Sequence, residues 1–284
     1  MKKEIKTLYN NTIMLYILQA SRYIFPLLTF PYLTRVLQPE NYGIMTFVNG
    51  VMVYFQLLID FGFLQSATKE CSLSRNDKAK LAKIVASNTQ AKMFLGLMGL
   101  AIIIFLINFF EAFAGKEIYT ILAYATILLS MFNIDYLFRG LEIMKFITYR
   151  TIAGRMIYTV LIFVLINKPE HYILVPVISA IGESIILIWT WYYVISNLGI
   201  RLKIVSLSDT ILAFRTSSMF FLSRIASTAY TSTNVIVIGT IYGNIPLAQF
   251  GVANSLISNI RSLFSPIADS LYPYMVLNKN YKLI

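Results

Sequence analysis

The residues of this sequence that could do chemistry are the ionisable side chains inside its long apolar stretches: Arg22, Lys92, Arg155, Arg224 and Arg261, with Asp60, Glu183 and Asp269. At the middle of a bilayer a charge costs ~2.5–3.5 kcal/mol on translocon scales, so such residues face a bundle interior or a wet cavity. Helical spacing, which makes neighbours of residues three and four apart, sorts them into stripes. Gln19, Arg22, Pro26 and Thr29 share one face; so do Asn49, Gln56 and Asp60; so do Arg224, Ser227, Thr231 and Asn234; and so do Asn254, Ser258, Arg261, Ser265 and Asp269. Faces of this kind belong around a polar cavity. An arginine fork suits bidentate pairing to phosphate oxygens, so inward Arg22, Arg224 and Arg261 favour an anionic, phosphate-bearing substrate. Gln19, Asn49, Gln56, Asn254 and Ser258 would supply neutral hydrogen bonds beside them.

Each charge also has a plainer reading. Arg22 would pair with Asp60, and Arg261 with Asp269; Arg224, nearer a helix end, would snorkel or pair, and Lys92 and Arg155 are read as snorkelling residues. Asp60, Glu183 and Asp269 are the candidates for proton or sodium coupling. Glu183, between Gly182 and Ser184, has a pair with Arg155 as its competing reading. Asp135 reads as an interfacial anchor. Pro26, Pro31 and Pro176 would interrupt their helices, as bent carrier helices do.

Other chemistry drops out. One cysteine, Cys71, and one histidine, His171, make neither a disulfide nor a His/Cys zinc site. No Gly-x4-Gly-Lys-Ser/Thr phosphate loop occurs, and no metal or cofactor is expected. Gly239 and Gly243 form a GxxxG beside Tyr242 and Asn244, where a turn is the better reading than a dimer contact.

The elements that must position these residues follow from composition. Of 284 residues, 57% are hydrophobic and 13% charged, with a mean hydropathy of +0.68. Ordinary soluble domains carry about 25% charged residues, so a water-soluble enzyme is excluded and an all-α, polytopic membrane bundle is expected. Stretches of about 20 apolar residues cross a bilayer, and eight occur, near 12–33, 44–66, 84–110, 118–138, 147–167, 171–195, 214–240 and 246–272. With the N-terminus inside, the inner segments hold 16 Lys and Arg and the outer loops only Arg35, Lys116 and Lys168. That bias places both ends of the chain in the cytoplasm. It also accounts for most of the net charge of +11 without nucleic acid. Trp189, Trp191, Tyr192 and Tyr193 read as an interfacial belt. The inner segments near 69–83 and 196–215 read as amphipathic surface helices, and the outer loops are too short to hold a catalytic domain.

A weak internal repeat lays Tyr42-Gly43-Ile44 over Phe250-Gly251-Val252, and Pro39 near Pro246. Residues 1–210 would then form a six-helix bundle, and 211–284 the first two helices of a second, incomplete one. Two full halves would need on the order of 416 residues.

Three segments resemble a known family. Pro31-Tyr32-Leu33-Thr34-Arg35-Val36-Leu37-Gln38-Pro39-Glu40-Asn41-Tyr42-Gly43 is similar to the segment after the first helix of Wzx-type polysaccharide repeat-unit flippases. Asp60-Phe61-Gly62-Phe63 with Ser66-Ala67-Thr68-Lys69, and Leu137-Phe138-Arg139-Gly140-Leu141-Glu142-Ile143-Met144, resemble that family's later signatures in the same order. The resemblance implies the multidrug/oligosaccharidyl-lipid/polysaccharide exporter superfamily, in which two six-helix bundles enclose a central cavity. It implies a non-enzymatic flippase in the bacterial inner membrane. Its substrate would be an undecaprenyl-diphosphate-linked oligosaccharide, moved to the outer leaflet for O-antigen or capsule synthesis. A polysaccharide polymerase and a chain-length regulator are the candidate protein partners. The alternatives are a cation-coupled multidrug exporter of the same architecture, disfavoured by a basic cavity, and a membrane glycan polymerase, disfavoured by the short outer loops.

Overall fold

A computed structural model describes residues 2–200 and 204–257, except for the side chains of 2–10, 230 and 231. The helices are α1 (Lys2–Val36), α2 (Gln38–Asp60), α3 (Phe63–Leu73), α4 (Lys78–Phe109), α5 (Glu117–Ser130), α6 (Asp135–Gly140), α7 (Met144–Leu165), α8 (Leu174–Tyr193) and α9 (Leu207–Tyr242). A tenth, α10, is described over 244–257. No strand occurs among the described residues, and the protein is an all-α polytopic membrane protein. Six stretches are long and apolar enough to cross a bilayer: Asn11–Val36, Gln38–Leu73, Lys78–Phe109, Glu117–Gly140, Met144–Leu165 and Pro169–Leu198. Their outward faces carry Phe94, Leu97, Phe105, Val160, Val164 and Ile188, all exposed, as lipid-facing surfaces are.

The seventh expected span is α9, whose 36 residues reach about 54 Å at 1.5 Å per residue. Its many Ser and Thr leave Ser232–Tyr242 as its apolar part. The eighth begins as α10, and its remainder lies outside the described residues. Two expected spans are each built from two helices: α2 gives way to α3, and α5 to α6. The segment near 69–83 is not a free surface helix, since α3 packs on α6, and 207–215 is the first part of α9. Pro26 and Pro31 do not interrupt α1, which runs unbroken, and Pro176 sits in the first turn of α8, where proline is tolerated.

Hydrogen bonds fix how the helices run. α1 and α7 are parallel: Thr148 Oγ1 donates to Met14 O (2.9 Å), Arg155 to Ser21 O (3.1 Å), and Tyr32 OH to Ile166 O (2.7 Å). α2 and α9 are antiparallel: Phe61 stacks on Phe221, Tyr54 bonds Thr233 (2.7 Å), and Gly50 faces Val235. The segments matched by the internal repeat also meet, with Gly43 against the Asn244 backbone and Gly251 against Thr46. One end of the bundle gathers Arg75, Lys80, Lys83, Arg139 and Lys145, while Asn41 meets Pro169 at the other (2.9 Å). At the basic end Asp77 caps α4, and the Lys80 and Ala79 amides hold its carboxyl below the usual range. Lys83 ties the start of α9 to α4 through Asp209 (2.8 Å), whose carboxyl is likewise lowered, by Lys83 and then by Ser206.

Gly62 explains the motif around it. It has φ +79°, and a Cβ there would lie 2.6 Å from Phe220 Cβ and 2.8 Å from Ser217 O. The α2–α3 break therefore needs a residue that is both left-handed and bare, because α9 crosses directly over it. Gly62→Ala is expected to cost about 1–3 kcal/mol. A thermal midpoint in detergent equal to that of the unaltered protein would contradict this account.

Candidate functional site

The bundle interior holds a cavity of about 320 Å³ between α1, α5, α7 and α8. Its polar wall includes Arg22, Asn133, Arg155 and Glu183, with Asp135 and Arg150 also lining it. Gly154 and Gly182 face each other across α7 and α8, and Ile186 fills the space beside Gly154, so the two helices pack closely next to Glu183. A second cavity of about 210 Å³ shares Thr126, Tyr158 and Ser179 with the first and continues past Asn49 to Pro176. Polar space thus extends from Arg22 toward the end of the bundle away from the basic segments.

The charges pair differently from expectation. Lys92 is not a snorkelling residue: it is 5% exposed and its ammonium donates to Asn133 O at 2.9 Å. The Asn133 amide donates in turn to Glu183 Oε1 at 2.7 Å. Glu183 therefore makes no direct pair with Arg155 but is held by an amide, and Lys92, Arg150 and Arg155 are the cations that act on it. Arg155 also points inward, lining the cavity and donating to Ser21 O. Asp135 is not an interfacial anchor, and Arg150, one of the 16 inner charges counted from the sequence, is buried. Arg150 is 1% exposed and pairs with Asp135 and Thr190, its guanidinium 5.3 Å from the Phe138 ring centroid and 5.7 Å from that of Phe146.

Asp60 takes Arg224 (3.9 Å) and the Gln56 amide (3.2 Å) rather than Arg22. Gln56 also accepts from Ser130 Oγ at 3.1 Å, which ties the α2 stripe to α5. Gln19 donates to Tyr23 OH at 2.7 Å. Asn254 is exposed on α10. Ser258, Arg261, Ser265 and Asp269 lie outside the described residues. Arg22 is exposed and makes no hydrogen bond or ion pair with another described residue, so the Arg22–Asp60 reading fails. Of the aromatic belt, Trp189 and Tyr192 are exposed, but Trp191 donates inward to Phe132 O (3.2 Å) and Tyr193 stacks on Phe146.

Sequence reasoning missed Asn133, Arg150 and Asp135 as interior groups. The run Asn133-Ile134-Asp135 at the α5–α6 break was the available signal, two polar residues in an otherwise apolar span. No group of three or more His, Cys, Asp or Glu that could hold a metal occurs among the described residues. Functionally, the cavity presents an uncompensated guanidinium and a carboxylate ringed by cations, which suits an anion rather than a cation.

Residues 8–278 match the family described as polysaccharide biosynthesis protein. The chain is 28% identical over 280 residues to a protein of Escherichia coli strain K12 whose name proposes an O-antigen transporter, covering 96% of this chain and 67% of that one. A Shigella dysenteriae protein with the same name is 24% identical over 275 residues, covering 96% and 68%. No solved structure matches.

Proposed function

Since the chain belongs to the polysaccharide biosynthesis protein family, we propose that it transports a lipid-linked oligosaccharide across the bacterial inner membrane for surface polysaccharide assembly. The observation that carries this reading is Arg22, an exposed guanidinium on the wall of a polar cavity with no acid within ion-pair distance among the described residues. A diphosphate linker supplies the missing anion, and arginine matches its oxygens in pairs. The oligosaccharide would meet Gln19, Asn49 and Gln56 on α1 and α2, and the polyprenyl tail would stay in lipid. The names of the Escherichia coli and Shigella dysenteriae relatives support transport rather than catalysis. With the buried Arg150 set aside, 15 inner Lys and Arg against 3 outer ones still support cytoplasmic ends. Residues 1–210 and 211–284 would belong to two bundles that rock about the cavity, with Arg224, Asn254, Ser258 and Arg261 facing it from the second. Glu183, held by Asn133 and bordered by three cations, is the coupling group of this proposal; Asp60 and Asp269 are the others.

The test is the sidedness of undecaprenyl-diphosphate-linked repeat units in a strain lacking this gene. Build-up on the cytoplasmic face is the expected result. Unchanged level and sidedness, with repeat-unit synthesis intact, would reject the reading and bring forward a drug exporter of the same architecture.

A further inference from the structure

Arg139 belongs to the family-like segment at the exit of the fourth span, and by its position it reads as one more inner positive charge. The fold gives it a different setting. A cavity of about 350 Å³ lies against α1 at the basic end of the bundle, with Thr12, Tyr16, Gln19, Arg22 and Arg139 on its wall. Arg139 Nε is buried and has no hydrogen-bond partner. Neither Arg139 nor Arg22 has an acid within ion-pair distance among the described residues; Glu142, three residues on, is taken by Arg75 at 2.6 Å. The two guanidiniums, of like charge, line the same cavity. Two like charges, one with a buried unmet donor, are held at one small cavity and left uncompensated.

We propose that Arg22 and Arg139 form a two-guanidinium site for a phosphate-class dianion at the basic end of the bundle, where the diphosphate of a substrate is first held. This rests on the transport reading above and adds a residue and a stage to it. An anion bridging both forks would compensate both charges and satisfy the Arg139 Nε donor. Arg22 and Leu18 also line the deeper cavity with Arg155 and Glu183. Arg155 lies eleven residues into α7, about 16 Å from its basic-end start at 1.5 Å per residue. Arg22 is therefore shared by a shallow site with Arg139 and a deep one with Arg155. The anion would pass from the first to the second by exchanging one arginine partner while keeping the other. No bond is made or broken, and the charge stays compensated at each stage.

The test uses the full chain in lipid nanodiscs, titrated with geranylgeranyl diphosphate and, separately, with inorganic pyrophosphate. Arg139→Gln is expected to weaken diphosphate binding about tenfold to a hundredfold, the range for losing a hydrogen bond to a charged group. Arg139→Lys, which keeps the charge but loses the fork, should fall between. Equal binding of both probes would assign the site to the phosphates alone; tighter binding of the prenyl compound would assign it to a lipid headgroup, and either supports the site. If Arg22→Gln weakens binding but Arg139→Gln, with an unchanged thermal midpoint, does not, the two-arginine site is overturned while the transport reading stands. If neither substitution weakens binding, the site is overturned and the arginine basis of the transport reading fails with it. Should Arg139→Gln not fold, Arg139→Lys decides: binding equal to that of the unaltered protein overturns the site.

Discussion

Replacing Asp135 with Ala is expected to destabilise the protein by about 3–5 kcal/mol, because it leaves the buried Arg150 charge without compensation. Arg150→Ala leaves an Asp135 side chain that is 28% exposed and should cost less. Arg150 is 1% exposed, bonded to Asp135 and Thr190, with the Phe138 and Phe146 rings beside its guanidinium. The pair joins α6 to α7 and Thr190 adds α8, so losing it unlocks three helices at one side of the cavity. Removing both charges together with apolar residues of similar volume, Arg150→Met with Asp135→Leu, should recover most of the loss, since the desolvation cost of two ions disappears with them. The readouts are the amount of folded protein in membranes and the thermal midpoint after purification. Single variants as stable as the unaltered protein would mean the pair is not sealed from water.

Arg22→Ala is expected to do the opposite: little change in stability and a large loss of transport. Removing an exposed guanidinium that bonds no described residue orphans no buried partner, so the stability change should stay within about 0.5 kcal/mol. If the same side chain holds the substrate's phosphates, losing charge-assisted hydrogen bonds should reduce surface glycan about tenfold or more. Arg224→Ala is the control for charge alone, because Arg224 already faces Asp60 at 3.9 Å and its removal should cost transport less. Normal surface glycan with Arg22→Ala in a strain dependent on this protein would remove Arg22 from the mechanism. A collapse in protein level would show that its role is structural.

Several features were legible before any coordinates. Apolar stretches of membrane-crossing length placed the first six spans, because hydropathy is a local property that survives whatever the helices do next. On α2, Gln56 and Asp60 are hydrogen-bonded along one face, as three-to-four spacing requires. The turn at Gly243 was also readable, and its φ of +80° ends α9 there. The break inside the second span was not, because Gly62 stands between Phe61 and Phe63, apolar like the helix before it. The break in the fourth was signalled only by Asn133 and Asp135, which spacing alone did not assign to a break. Gly62 breaks its span because α9 lies over it.

The sequence by itself determined the solvent of this protein, its all-helical class and the direction of its charge bias. These follow from composition and from periodicity along single helices. Only the tertiary structure decided which polar residues meet. Asp60 took Arg224 and left Arg22 with no acid in ion-pair contact among the described residues, Lys92 reached Asn133 instead of the surface, and Asp135 and Arg150, fifteen positions apart, closed on each other inside the bundle. Such pairings depend on the rotation and register of one helix against another, which no spacing within a single helix specifies. A charge whose partner lies on another helix therefore looks the same in sequence as a charge with no partner at all.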